Sequence, residues 1–305
     1  MKVKELLVVS GKGGTGKTSI VGSFAVLAKD KVLADCDVDA ADLHLLLKPY
    51  IRQTKEFYGS KKPMIDYGKC NGCGICVESC RFEAIDKINA SSDSKVEIDL
   101  ISCEGCGVCF WACPKDAITL KDHLSGHWFI SDTSFGPLVH ARLTPGEENS
   151  GKLVTQVRRE ARLIAKGQGL SYIITDGPPG IGCPVIASIS GIDLALIITE
   201  PTVAGIHDFK RLLELIRHFK VKTLVCINKY DLDEKKSKEM EHYCRSEGID
   251  LVGKIPFDEE VVKALAKGMP PIAPTAHVFE HSRHNEGKAS KAIRELWTKV
   301  LTYLE

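Results

Sequence analysis

The chain has 305 residues, of which 44% are hydrophobic and 27% charged, and its 41 Lys and Arg residues balance 40 Asp and Glu residues. This composition predicts a globular protein with a sizeable core, and the near-zero net charge argues against nucleic-acid binding through bulk positive charge. No apolar run reaches the roughly 18–20 residues needed to span a bilayer, and the first residues are too acidic for a signal peptide. We therefore expect a cytoplasmic protein that binds neither nucleic acid nor membrane.

Strands and helices alternate along most of the chain. A strand is predicted over residues 3–10 and a helix over 19–28, and a short strand over 32–34 follows. Further apolar strands are predicted over residues 172–175, 194–199, 224–227 and 251–255. Helices are predicted near residues 152–166, 183–190, 204–219, 234–247, 258–267 and 288–304, and a strand and a loop within 126–151. This alternation predicts an α/β protein with a doubly wound, mainly parallel sheet.

The first loop carries a phosphate-binding motif. Residues 11–18 read GKGGTGKT and satisfy G-x-x-x-x-G-K-[ST] between a strand and a helix. Backbone amides in such a loop surround phosphates, and we expect Lys17 to contact the β- and γ-phosphates and Thr18 to contact Mg²⁺. The strand over 172–175 ends at Asp176, an arrangement in which the acid holds Mg²⁺ through water. A glycine-rich turn that binds nothing would not explain the agreement of motif, order and flanking elements.

Eight of the twelve cysteines lie in two runs that are offset by 33 residues and form an internal repeat. Both runs have the C-x₂-C-x₂-C-x₃-C spacing of bacterial ferredoxins, in which the fourth cysteine of each run ligates the other cluster. One [4Fe–4S] cluster is therefore assigned to Cys70, Cys73, Cys76 and Cys113, and the other to Cys80, Cys103, Cys106 and Cys109. Zinc is the main alternative, but it does not explain the third cysteine at the same gap in both runs. Disulfides do not suit a reducing compartment.

The cysteine runs interrupt the α/β pattern. We predict a small inserted α+β domain over residues 61–121 that looks like a complete two-cluster ferredoxin domain. The remaining parts, 1–60 and 122–305, form one P-loop NTPase domain. Arg81 departs from the proline that usually follows the fourth cysteine, but it removes no ligand.

The loop sequence GKGGTGKT resembles the deviant Walker A motif of the MinD/ParA-type P-loop ATPases. Together with the insert, the chain is similar to the MinD-superfamily ATPases that carry a ferredoxin domain, and these are related to Mrp-type carriers and the nitrogenase iron protein. The resemblance implies a homodimer that forms on ATP binding, in which Lys12 contacts the partner's nucleotide. The alternative for Lys12 is a solvated surface charge.

The resemblance also assigns roles outside the loop. Asp37 would orient or activate the attacking water, Asp35 would support the Mg²⁺ shell and Gly177 would sense the γ-phosphate. The catalytic residues are thus Lys12, Lys17 and Asp37, and the Mg²⁺ residues are Thr18, Asp35 and Asp176. The nucleotide-binding residues are Gly11, Lys12, Gly13, Gly14, Thr15, Gly16, Lys17, Thr18, Ser19, Gly177, Asn228, Pro256 and Asp258. The alternatives are acids that merely end a strand and, for Asn228 and Pro256, ordinary turn formers.

These features lead to a first hypothesis with ATP or ADP, Mg²⁺ and two [4Fe–4S] clusters as cofactors. ATP-dependent dimerisation would gate electron transfer through the clusters toward a redox or metallocluster-assembly partner. The second hypothesis is an iron–sulfur cluster carrier, against which complete four-cysteine ligation argues. The third is a positioning ATPase with a redox-sensing insert. Among the remaining cysteines, we expect Cys36 and Cys226 to be buried, and Cys183 either to pack at a helix start or to act near the nucleotide.

Overall fold

A computed structural model of the protein describes residues 2–90, 93–147, 151–272 and 287–305. The chain divides into two compact units. The larger unit comprises Met1–Thr54, Trp128–Arg142 and Asn149–Glu305, and the smaller unit comprises Lys55–His127 and Leu143–Glu148. The end of the loop predicted within 126–151 lies outside the described residues.

The described residues form eleven strands. They are β1 (Lys4–Ser10), β2 (Lys31–Asp35), β3 (Tyr50–Ile65), β4 (Ile85–Ala90), β5 (Asp93–Ile98), β6 (Ile118–Thr133), β7 (Gly136–Leu143), β8 (Tyr172–Pro179), β9 (Leu194–Thr199), β10 (Lys222–Asn228) and β11 (Asp250–Ile255). Nine of them form one sheet in the order β11-β10-β9-β1-β8-β2-β7-β6-β3. In this sheet β1 is parallel to β8 and β9, β2 to β7 and β8, and β10 to β9 and β11. The prediction of an α/β protein with a mainly parallel sheet is confirmed.

The described residues also form ten α-helices, and those of the larger unit cover both faces of the sheet. The ten helices are α1 (Lys17–Leu27), α2 (Leu43–Leu47), α3 (Ile75–Ser79), α4 (Val108–Ala112), α5 (Lys152–Gln168), α6 (Cys183–Ile189), α7 (Val203–His218), α8 (Glu234–Ser246), α9 (Glu259–Ala266) and α10 (Lys288–Leu304). Successive residues of a strand point to opposite faces, so Leu6 packs in one core with Phe24 and Trp297, whose rings lie 4.9 Å apart. Leu7 packs in a second core with Phe209. None of the helices in the described ranges has both the length and the apolar character needed to cross a membrane.

The predicted elements agree best with the structure where they are buried. β9 and α10 have the predicted bounds, and β7 is the strand expected within 126–151. The sequence did not predict the 16-residue strands β3 and β6. β3 is the last strand of the sheet, and its first half is exposed. It therefore lacks the alternation of apolar and polar residues by which a half-buried strand is recognised.

The internal repeat lies in the smaller unit, and its two copies have the same backbone conformation. α3 and α4 occupy equivalent positions in the two copies. Gly72 and Gly74 have φ values of +66° and +84°, and their equivalents Gly105 and Gly107 have +65° and +77°. The antiparallel pair β4–β5 connects the two copies. Residues from both copies form one small core, which consists of Cys76, Ile85, Val96, Cys109 and Ile118.

Candidate functional site

The phosphate-loop motif forms the connection between β1 and α1, residues 11–16. Gly14 and Gly16 have φ values of +78° and +89°, a conformation that glycine adopts without steric cost. At Gly16, any Cβ atom would also clash with Nδ2 of Asn228. The loop leads directly into the N-terminus of α1, where backbone amides and the helix dipole favour an anion.

Lys17 is buried, and its ammonium group lies among acidic side chains. Its Nζ atom is 2.6 Å from Oδ1 of Asp176, 3.3 Å from Oδ2 of Asp37 and 3.5 Å from the hydroxyl of Thr18. Asp35 is the third acid, and its carboxylate accepts a hydrogen bond of 3.2 Å from the amide of Asp37. Burial disfavours the ammonium, but the negative charges of Asp176 and Asp37 raise the pKa of Lys17. Acids from the end of β2, from the segment after it and from within β8 thus meet the lysine of the loop. The predicted strand end at Asp176 is wrong, because β8 continues to Pro179.

Two carboxylate oxygens in this group, Oδ2 of Asp35 and Oδ2 of Asp176, are buried without a hydrogen-bond partner. Burial, together with the charge of Asp176, raises the pKa of Asp35 well above its usual value, and burial also raises the pKa of Asp37. A divalent cation would favour the ionised carboxylates and give the orphaned oxygens a partner. Oxygen ligands of this kind suit Mg²⁺, so Thr18, Asp35 and Asp176 fit a Mg²⁺ site.

A network that the sequence did not predict ties the loop to neighbouring strands. Glu200 directly follows β9, and its Oε1 lies 2.6 Å from Nζ of Lys12 while its Oε2 lies 3.2 Å from Nζ of Lys229. Lys229 also donates a hydrogen bond of 3.1 Å to the carbonyl of Gly14. Burial alone would raise the pKa of the Glu200 carboxyl group. The hydrogen bonds from both lysines outweigh this effect and lower that pKa. The available sequence signal was an acid directly after a buried strand.

A cavity of about 480 Å³ opens beside the loop, a size that suits a small-molecule ligand. The predicted site residues that line it are Gly13, Gly14, Thr15, Gly16, Lys17, Thr18, Ser19, Asp37, Asn228, Pro256 and Asp258. An apolar wall, also unpredicted, comes largely from α9 and α10 and comprises Phe257, Val261, Val262, Leu265, Pro271, Ala289 and Ile293. The cavity therefore combines a polar end for phosphates with an apolar end for a flat, less polar group.

The other predicted residues lie outside the lining of this cavity. Asp35 and Asp176 belong to the acidic group around Lys17, and Lys12 pairs with Glu200. A Cβ atom at Gly11 would clash with the backbone of Asp208, and one at Gly177 would lie 2.9 Å from the carbonyl oxygen of Val8. These two glycines therefore allow close packing of the backbone.

The side chains of the predicted base contacts have structural partners. Nδ2 of Asn228 donates a hydrogen bond of 2.7 Å to the carbonyl of Thr15. The carboxylate of Asp258 accepts hydrogen bonds from the amide of Glu260, at 3.0 Å, and from the amide of Ala289, at 3.1 Å. Asp258 thus caps α9 and fixes the beginning of α10, which brings the apolar wall to the cavity.

In the smaller unit, four cysteines from both copies of the repeat line one small cavity. They are Cys70, Cys73 and Cys76 of the first copy and Cys113 of the second. The amide of Ala117 donates a hydrogen bond of 3.3 Å to Sγ of Cys113. The structure therefore brings together the four residues that the sequence assigned to one cluster.

The four cysteines assigned to the other cluster lie in the same unit. Cys109 is buried in its core, and Cys80 packs against that core. Sγ of Cys103 accepts a hydrogen bond of 3.4 Å from the amide of Gly105, and Cys106 is exposed. Burial raises the pKa of Cys109 to about 11, so a metal that binds this thiol must displace a proton.

All twelve cysteines lie in the described part of the chain, and each carries a free thiol. Within the described ranges, no three His, Cys, Asp or Glu side chains are placed to hold a metal ion. Cys36 and Cys226 are buried, as predicted. Cys183 is exposed at the first residue of α6 rather than packed there.

Comparison with known proteins finds a family model and several relatives that are similar to this chain. The family model described as "CobQ/CobB/MinD/ParA nucleotide binding domain" matches residues 6–272. An uncharacterised protein of Methanocaldococcus jannaschii is 33% identical over 306 residues, which cover 99% of this chain and 98% of that protein. An iron–sulfur cluster carrier protein of Pyrococcus horikoshii is 25% identical over 169 residues, which cover 51% of this chain and 53% of the carrier.

Solved structures of MinD have the same fold. The MinD protein of Pyrococcus horikoshii complexed with Mg-ADP superposes with a TM-score of 0.57 at 15% identity, covering 98% of this chain and 96% of that one. MinD in the MinC:MinD complex of Aquifex aeolicus gives 0.54 at 18% identity, with 98% and 96% covered. At these identities the likeness concerns the fold alone.

Proposed function

The chain belongs to the CobQ/CobB/MinD/ParA family of nucleotide-binding proteins, and we propose that it is a Mg²⁺-dependent ATPase with two [4Fe–4S] clusters. ATP-dependent dimerisation is coupled to electron transfer through the clusters toward a redox or metallocluster-assembly partner. The observation that carries the proposal is the cavity at which Cys70, Cys73, Cys76 and Cys113 meet. Thiols from both copies of a repeat are gathered there, and the same chain carries the nucleotide site of the family.

Nucleotide binding follows from the cavity beside the phosphate loop. The loop amides and Lys17 would bind the phosphates, and the apolar wall of α9 and α10 would cover the base. Thr18, Asp35 and Asp176 would hold Mg²⁺, directly or through water. When bound, the ion would neutralise phosphate charge.

Hydrolysis needs little covalent help from the protein, because phosphoryl transfer depends on positioning and electrostatics. The oxygen of a water molecule attacks the γ-phosphorus, the bond from that phosphorus to the bridging oxygen breaks, and ADP leaves with the electron pair. Asp37 would orient the water and accept its proton, a role supported by the burial that raises the pKa of its carboxyl group. Lys17, with Lys12 from the partner copy, would balance the charge on the phosphates.

The arrangement of thiols supports cubane clusters over zinc. A tetrahedral zinc site is typically built from two C-x₂-C pairs, which leaves the third cysteine at the same gap in both runs without a role. A [4Fe–4S] cluster instead takes each thiolate at a different iron, so its cysteines need not converge on one point. The repeated glycine conformations in the two copies also suit two equivalent sites.

A protein partner is supported by large apolar side chains on the surface of the smaller unit. Trp111 is 82% exposed and Ile101 is 76% exposed, and both lie within or next to the second cysteine run. Exposed apolar surface of this kind often marks a binding site for another protein.

The likeness to proteins named iron–sulfur cluster carriers favours a second candidate function, delivery of clusters to other proteins. Anaerobic reconstitution followed by two assays separates the candidates. Electron transfer predicts about eight iron atoms per chain, Mg²⁺-dependent ATP hydrolysis and cluster reduction potentials that shift when ATP is added. Rapid transfer of clusters to an apo-ferredoxin, with potentials indifferent to ATP, would instead establish the carrier.

The Lys17→Ala variant serves as the control, because ATP should not shift its potentials. Wild-type protein that holds zinc in place of iron, or that does not hydrolyse ATP, would refute the proposal.

A further inference from the structure

Glu200 lies between two lysines of the nucleotide site and uses its two oxygens separately. Oε1 pairs with Nζ of Lys12 at 2.6 Å, and Oε2 pairs with Nζ of Lys229 at 3.2 Å. The side chain of Glu200 is only 12% exposed. The pair with Lys12 is therefore shielded from the solvent that weakens ordinary surface ion pairs.

Lys229 has contacts that do not depend on Lys12. Its Nζ atom donates a hydrogen bond of 3.1 Å to the carbonyl of Gly14. Its backbone has a φ of +55°, which a residue other than glycine keeps only where its surroundings hold it. The preceding residue, Asn228, donates a hydrogen bond of 2.7 Å to the carbonyl of Thr15. The end of β10 thus holds the loop in place, and Lys229 stays beside Glu200 whether or not Lys12 does.

We propose that Glu200 is a positioning residue that stores Lys12 within its own subunit and releases it when a second copy of this chain binds. This inference rests on the proposed function, in which Lys12 contacts the nucleotide of the partner copy. Lys12 must leave Glu200 to make that contact. Lys229 then keeps the carboxylate paired, so release avoids the large cost of a buried charge without a partner.

The ion pair between Lys12 and Glu200 opposes dimerisation. It must be broken before Lys12 can contact the nucleotide of the partner copy, so its loss offsets part of the free energy gained from that contact. Glu200→Gln keeps the size of the side chain and removes its charge. With Mg²⁺ and a non-hydrolysable ATP analogue, the dissociation constant of the dimer, measured by sedimentation equilibrium, should fall about tenfold. Without nucleotide, amine acylation followed by mass spectrometry should find Lys12 labelled several-fold faster than in wild type.

Glu241→Gln is the matched control, because Glu241 on α8 also pairs with a lysine, Lys254, at 2.9 Å, but neither residue lines the nucleotide cavity. This control should change neither the dissociation constant nor the labelling of Lys12. A Glu200→Gln protein that binds ADP normally, but whose dimer is no tighter or whose Lys12 is labelled at the wild-type rate, would overturn the inference alone. A wild-type chain that binds no ATP or forms no dimer with it would overturn the proposed function and this inference together.

Discussion

The exchange of cysteines between the two runs can be tested by replacing two cysteines at a time. Cys70 and Cys113 line the same cavity although they come from different copies of the repeat. The variant with both Cys70→Ser and Cys113→Ser should therefore lose two ligands of one cluster and leave the other cluster complete. Iron per chain should fall from about eight to about four atoms, and electron paramagnetic resonance of the reduced protein should show a single, unaltered cluster.

The comparison variant takes both residues from one run, Cys103→Ser with Cys113→Ser. In the proposed arrangement this variant removes one ligand from each cluster, so neither cluster keeps four thiolates. If each run held its own cluster, the outcomes would be exchanged, and the variant with Cys103 and Cys113 replaced would keep one complete four-iron cluster. That result would refute the reasoning from the shared cavity. ADP affinity, measured by calorimetry, should match wild type in both variants and shows that the larger unit is folded.

Three further predictions concern the larger unit. Lys17→Ala should weaken ADP binding at least about 100-fold in calorimetry, because an ammonium contact to the phosphates is lost; unchanged affinity would contradict the role of the loop. Burial lowers the pKa of His140 to about 4, from 6.5 in the unfolded chain. Between these values only the unfolded chain binds the proton, so the free energy of unfolding should fall by up to about 3 kcal/mol as pH drops from 6.5 to 4. Urea titrations should show this loss in wild type but not in His140→Gln, and parallel curves would count against it. Arg158→Ala should lower the free energy of unfolding by about 3 kcal/mol, because it removes three hydrogen bonds, to Oε1 of the buried Glu5 and to the carbonyls of Ala187 and Ser190; urea denaturation would measure this loss, and a change below about 1 kcal/mol would contradict it.

The sequence predicted the fold well where burial determines the residue pattern. β9 is buried along its whole length, and its apolar run LALIIT marked both of its ends. β3 was not recognised because it is an exposed strand whose pairing depends on the rest of the sheet, information that a local pattern does not contain. β6 was not predicted either, because polar residues such as Lys121, Asp122 and His123 interrupt its apolar pattern.

The candidate site was also predicted in part, where its residues belong to local sequence patterns. The phosphate loop is a local motif, and the acids that meet Lys17 lie in or next to short apolar strands, so both were predicted from short stretches of sequence. Glu200 was missed because its pair with Lys12 exists only when β9 lies beside β1, which is a property of strand order. The apolar wall was missed because α10 is distant in sequence and reaches the cavity through the capping contacts of Asp258.

Lys17 lies between the two charged parts of the nucleotide site, the acidic side chains and the place where the phosphates would bind. Its ammonium group is the cation beside Asp176 and Asp37, yet the phosphates need the same charge. If Lys17 moved to the phosphates alone, these buried carboxylates would lose their partner, and with Asp35 they would repel one another. A divalent cation at the acids removes this cost and also attracts the phosphates. Nucleotide and Mg²⁺ should therefore bind cooperatively. The phosphates attract Lys17 away from the acids, and Mg²⁺ replaces its positive charge there.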